Sequence, residues 1–156
     1  LVLRAVRDLL ARRTGGPELL AYQDGRQWRD LSSNDINSYL KGLLGEEMSA
    51  KDFRTWHGTV IAAVVLAEAN ERARTMSARK RAVSAAMKEV AGYLGNTPAV
   101  ARASYVDPRV IDLFNDGATI SPALAATDTD LSDGTTHGKI ERAVLNLLAA
   151  SDSALP

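Results

Sequence analysis

The sequence predicts a mainly α-helical domain with one small β-hairpin near its start. Three observations carry that reading. Apolar residues recur at the helical period along most of the chain. A single Asp24-Gly25 pair stands between two short segments, 19–22 and 27–31, as a hairpin turn does. Two pairs, Thr97-Pro98 and Asp107-Pro108, have the chemistry of helix starts, a capping side chain followed by a proline whose missing N–H costs nothing there.

Taken in order, residues 1–13 form an amphipathic helix ended by Thr14-Gly15-Gly16-Pro17. The hairpin occupies about 19–31. Ser33 or Asn34 then caps a helix to about Leu44, with Gly45 as its stop. Ser49 followed by Asp52 has the spacing of a capping box and opens a long helix to about Ala69. On it Arg54 and His57 lie one turn apart on one face. Gly58, next along, lets another backbone or a DNA strand come close. Ser77 caps a helix that runs to about Leu94 and stops at Gly95. Short helices follow over 98–104 and 108–115, the second stopped by Gly117, and Tyr105 falls at their link. A side chain there is expected to point outward and to move. Residues 117–136, rich in Thr, Asp, Gly, Ser and Ala, read as a mobile loop, and 137–150 as a last amphipathic helix. The core is expected between the 50–69 and 77–94 helices, with the short helices packed on them.

The chain has 156 residues, enough for one ordinary domain with a real core. Its longest apolar stretch, 60–67, is far below the ~18 residues that a membrane span needs, so no membrane partner is expected. No basic segment followed by an apolar one opens the chain, so no signal peptide is expected. Cysteine is absent, which excludes disulfides, thiolate catalysis and cysteine zinc sites. With two histidines, a histidine metal cluster is not expected either. There is no internal repeat, phosphate-binding glycine loop or dinucleotide fingerprint. The chain opens on Leu1 in the middle of a helical pattern, which reads as a piece of a longer protein.

The formal net charge is zero but unevenly spread. Residues 111–156 hold seven acids and two bases, a balance of −5, so residues 1–110 carry +5. Arg72, Arg74, Arg79, Lys80 and Arg81 cluster within the basic part. A basic body with an acidic tail is a footprint of nucleic-acid binding, and a solvated helix face looks the same. For Arg79, Lys80 and Arg81 both readings stand, a DNA-backbone contact adding sequence-blind affinity or an exposed face.

Three residues offer complementary chemistry: Arg54 a cation, Asn96 a neutral hydrogen-bond donor and Tyr105 a phenol. An arginine fork binds two phosphate oxygens, an amide donates to one of them, and a tyrosine oxygen attacks phosphorus. A phenol ordinarily ionises near pH ~10, so such a nucleophile needs positive charge nearby.

The segments around these residues, Lys51-Asp52-Phe53-Arg54-Thr55-Trp56, Gly95-Asn96-Thr97-Pro98 and Ser104-Tyr105, resemble the C-terminal catalytic domain of type IB DNA topoisomerases, in the small bacterial and poxvirus-like branch. The likeness covers roughly residues 1–116, including the hairpin. The spacings, 42 residues from Arg54 to Asn96 and nine from Asn96 to Tyr105, fit as well. The resemblance implies a catalytic-domain fragment over 1–116, with its nucleophile region at 95–116, followed by the loop and C-terminal helix of 117–156. It implies that Tyr105 attacks a phosphodiester of duplex DNA to give a 3′-phosphotyrosyl link and a free 5′-hydroxyl, that the duplex rotates, and that the strand reseals without ATP, metal or other cofactor. Arg54 matches the second of the family's two catalytic arginines. Asn96 stands where many members have histidine, so a hydrogen-bonding role is implied and a titrating one is not. The family's other arginine and its general-acid lysine lie upstream of Leu1, as does the domain that completes the clamp on DNA. A fragment lacking them is expected to relax DNA poorly. The resemblance further implies a monomer working in the bacterial cytoplasm at the nucleoid.

Other readings of single residues remain. Asn96 also suits the C-terminal cap beside Gly95. His57 and Lys51 are candidates for phosphate or DNA contact, with a structural role for His57 as the alternative. Trp28 and Trp56 read as packing residues, and His137, just ahead of the last helix, as incidental. The competing functions are a tyrosine recombinase or integrase catalytic domain, a non-catalytic DNA-binding module, and a helical scaffold without a DNA role. Recombinases carry His-x-x-Arg, whereas Lys51 stands three residues before Arg54 here.

Overall fold

The computed structural model describes residues 2–126 and 134–152. Among them are eight α-helices and one two-stranded antiparallel sheet, the mainly helical class with a small hairpin that the periodicity predicts. They fall into two compact units, residues 1–50 and 51–156.

The first unit holds α1 (Val2–Ala11), β1 (Ala21–Asp24), β2 (Gln27–Asp30) and α2 (Ser33–Leu44). The strands pair from Ala21 opposite Asp30 to Asp24 opposite Gln27, so the turn is Gly25-Arg26. Arg12 lies 5.4 Å from the ring centre of Trp28, so that tryptophan serves packing. The cap of α2 is Ser32, not Ser33 or Asn34. Its hydroxyl accepts the Asp35 N–H at 3.2 Å, and the Asp35 carboxylate accepts the Ser32 N–H at 2.8 Å. This reciprocal box needs an acid three residues on, which of the three candidates only Ser32 has.

The second unit is built on α3 (Ala50–Ala69) and α4 (Met76–Leu94). The long apolar run of α3 lies between neighbours on both sides: Val60, Ala62, Ala63, Leu66 and Ala67 are buried and meet Val83, Ala86, Met87, Val90 and Ala91 of α4. Ala62 and Ala86 have no exposed surface. The cap of α4 is Thr75 rather than Ser77. Thr75 is extended (φ −114°, ψ 156°), and its hydroxyl accepts the Ala78 N–H at 3.2 Å, which leaves Ser77 inside the first turn. Gly95 ends α4 in the left-handed conformation, φ 67°.

The short helices α5 (Pro98–Ser104) and α6 (Pro108–Asn115) start where their prolines predict, capped by Thr97 and Asp107. They pack on the α3–α4 pair through Ala101, Val110, Ile111 and Phe114. The expected loop over 117–136 is shortened from both ends. Ile120 is buried and starts α7 (Ser121–Ala125), and the Ser121 hydroxyl donates to the Ala67 carbonyl at 3.0 Å. The last helix, α8, runs Gly134–Asp152 and buries Ile140, Val144 and Leu148, one stripe at four-residue intervals. Residues 127–133 of the expected loop lie outside the described residues. No described helix is long and apolar enough to cross a membrane.

One contact positions the Tyr105 segment. Gly58 does permit a close approach, as its sequence position suggests, but the chain that arrives is the backbone of Tyr105. A methyl on Gly58 would overlap the Tyr105 carbonyl oxygen and press on Val90. One residue on, the buried Thr59 hydroxyl donates to the Thr55 carbonyl at 2.8 Å and accepts the Asp107 N–H at 3.0 Å. Gly58 and Thr59 thus fasten residues 105–107 to α3.

Two outcomes follow for unfolding in denaturant. Gly58→Ala should destabilise by about 1–3 kcal/mol through overpacking against backbone, outweighing the ~1 kcal/mol by which alanine favours a helix. Thr59→Val keeps the shape but strands a buried N–H, and should cost about 1–3 kcal/mol. A variant as stable as the parent at either position would contradict this fastening.

Candidate active site

The site forms where α3, the end of α4 and the α5–α6 link meet. Arg54 projects from the second turn of α3, and its Nη2 donates to the Leu94 carbonyl at 2.8 Å. The Asn96 side-chain amide donates to the same carbonyl at 3.2 Å. A carbonyl near a helix C-terminus has no intrahelical partner and two lone pairs, so it accepts both donors. Gly95 makes this possible. Its left-handed backbone turns the chain so that the Gly95 and Asn96 N–H groups both reach the Ala91 carbonyl, leaving the Leu94 oxygen to the side chains. The capping conformation proposed for Asn96 therefore belongs to Gly95.

Tyr105 closes α5, with its N–H donating to Ala101 at 3.0 Å. Its ring is half-buried against the core rather than pointing freely outward, because the close approach at Gly58 draws its backbone onto α3. Two cations stand beside that ring. The Arg54 guanidinium carbon is 5.2 Å from its centre and the Lys51 ammonium 6.0 Å. Arg54, Asn96 and Tyr105, 51 positions apart in sequence from first to last, thus share one site, with Lys51 at its edge.

Beyond Tyr105, the Asp107 carboxylate caps α6, accepting the Arg109 N–H at 3.0 Å and pairing with Arg109 Nη2 at 2.7 Å. The hydrogen bond from the Arg109 side chain holds Asp107 below the usual carboxylate range, against the opposing effect of partial burial.

The remaining candidates go elsewhere. His57 faces His137 across 5.9 Å between ring centres, in a cavity also lined by Glu89 and Tyr93. His137 is not incidental. It lies inside α8, its Nδ1 3.7 Å from Glu141 Oε2, because that helix begins earlier than its apolar pattern indicates. Arg79 donates to the Phe114 carbonyl and lies 4.9 Å from the Phe114 ring centre, which ties it to the end of α6. Lys80 lines a cleft with Arg102 and Pro98, and Arg81 is exposed. Among the described residues no three His, Cys, Asp or Glu side chains are placed to hold a metal ion.

Sequence reasoning missed the Leu94 carbonyl, Thr59 and Glu141. A backbone acceptor leaves no trace in a sequence. Thr59 had a weak signal, a hydroxyl directly before the apolar run of 60–67. Glu141 had none, since its partner Trp56 is 85 residues away.

A helical domain that gathers a guanidinium, an amide donor and a phenol beside an exposed lysine has the groups that chemistry at a phosphodiester uses. Residues 15–116, close to two thirds of the chain, match the family described as eukaryotic DNA topoisomerase I, catalytic core. The chain belongs to that family and is a type IB topoisomerase domain. Among curated proteins none matches the chain.

The Asp107 cap has a pH signature. Its lowered ionisation means that its stabilisation is present above the ordinary carboxylate range and fades as the pH falls through the lowered value. Asp107→Ala should lose about 1 kcal/mol at neutral pH. The gap from the parent should close as both are titrated into acid, as read by urea midpoints across pH. A gap independent of pH would remove the carboxylate from the account.

Proposed function

We propose that this domain relaxes supercoiled duplex DNA by transient cleavage of one strand, with Tyr105 as the nucleophile. The Tyr105 oxygen bonds to phosphorus, the bond to the 5′-oxygen breaks, and the phenolic proton is released. The 5′-oxygen takes up a proton and leaves as a hydroxyl. The product is a 3′-phosphotyrosyl ester. After strand rotation the 5′-hydroxyl attacks that ester and restores the phosphodiester. One ester replaces another of similar energy, so the cycle calls for neither ATP nor a metal.

The observation that carries this reading is the shared Leu94 carbonyl. It holds the Arg54 guanidinium and the Asn96 amide together, with Arg54 beside the Tyr105 ring. In the reaction Arg54 neutralises the charge that develops on the non-bridging oxygens, and Asn96 donates to one of them. A scissile phosphate offers both donors charged acceptors in place of the carbonyl. Two cations, Arg54 and Lys51, stand beside the ring. Lys51, Lys80 and Arg81 are exposed and available to DNA phosphates, with His57 as a more remote candidate. The second arginine and the general acid come from an upstream segment of the same protein, as in the bacterial and poxvirus-like branch, and the enzyme acts as a monomer on the bacterial nucleoid.

A nicked suicide duplex, resolved on denaturing gels, tests this. The chain and Tyr105→Phe are each compared with and without the upstream segment supplied. A covalent adduct is expected only with Tyr105 present and the upstream segment supplied. No adduct in any combination, with the complemented protein folded, would leave a DNA-binding module and remove the enzymatic reading.

A further inference from the structure

The first two turns of α3 carry Lys51 and Arg54 and hold no fully buried residue: the first of the helix is Gly58. The Trp56 ring packs partly buried against the core, and polar contacts add to its hold on the Arg54 turn. Toward α4 the contact is Arg54 itself, on Leu94. Toward α8 it is Trp56, whose indole N–H donates to Glu141 Oε1 at 2.8 Å in a part-buried setting. The other carboxylate oxygen of Glu141 faces His137 at 3.7 Å. Helix α8 is itself seated by Ile140, Val144 and Leu148, so Glu141 stands on a fixed support beside one of those core residues. All of α8 lies beyond the residues that match the family.

We infer that Glu141 is a positioning residue for the strand-cleavage reaction. Acting through Trp56, it holds the turn of α3 that carries Arg54, and so makes α8 a working part of the catalytic unit. This rests on the role proposed for Arg54. Glu141 touches no reacting atom in this account, and its effect belongs in the rate of the chemical step, not in DNA affinity. Misplacing a transition-state contact by about 1 Å costs on the order of a hundredfold in rate.

Two measurements test it. In the full protein with its upstream segment, single-turnover adduct formation and DNA affinity are compared for the parent, Glu141→Ala, Glu141→Gln and Trp56→Phe. Trp56→Phe keeps the ring packing and deletes the donor, and Glu141→Gln keeps an acceptor. Glu141→Ala and Trp56→Phe should each slow adduct formation by roughly tenfold to a hundredfold, with DNA affinity unchanged, and their combination should add little. Glu141→Gln should restore the rate. Parental rates in both slowed variants, a loss confined to affinity, or failure of Gln to restore would each overturn the inference. Exchange of the Arg54 side-chain N–H protons, followed by NMR without DNA, is the independent arm. It should quicken in Glu141→Ala and Trp56→Phe but not in Glu141→Gln. If the parent forms no adduct, the catalytic reading fails and this arm still decides the positioning: unchanged exchange overturns it.

Discussion

The arrangement depends on how closely the backbone of Tyr105 lies against α3. Gly58 has no side chain where the Tyr105 carbonyl rests, and Thr59 anchors the next peptide through Asp107. Because Arg54 and Gly58 are one helical turn apart on the same rigid helix, this contact also sets the distance between the arginine and the tyrosine. A single buried interface thereby couples two residues that the chain separates by about half of its second unit. The capped starts of α5 and α6 on either side, at Thr97 and Asp107, keep the link between them short and determinate.

The second organising element is a backbone atom. The end of α4 leaves the Leu94 carbonyl without a helical partner, and Arg54 and Asn96 both take it. An arginine so held retains further N–H groups for an incoming anion. A neutral carbonyl orients the guanidinium while a phosphate would offer it a charged acceptor, so the resting arrangement is compatible with the exchange proposed for strand cleavage.

The far side of the unit shows a related economy. Trp56, His57, His137 and Glu141 bring α3 and α8 together by polar contacts above an apolar seam. The basic cluster of the sequence divides in the fold. Arg79 turns inward to Phe114, while Lys80 and Arg81 remain at the surface. A run of like charges on a helix cannot face one way, because successive side chains diverge by about 100° around the axis.

Sequence by itself determined the described helices other than α7, the hairpin and both proline-capped joints, since these depend on local periodicity, capping side chains and turn residues within a few positions. It also singled out Arg54, Asn96 and Tyr105 by residue type and spacing. At Ser32 the acid three residues on marked the cap in the sequence, whereas at Thr75 and Ser77 two hydroxyls competed and the backbone selected one. Only the tertiary structure decided that the glycine of α3 receives the Tyr105 backbone, that one carbonyl serves two donors, and that α8 belongs to the packed unit. Those outcomes join residues 40 to 85 positions apart. They arise from which surfaces bury against each other, a property that no local pattern of residues encodes.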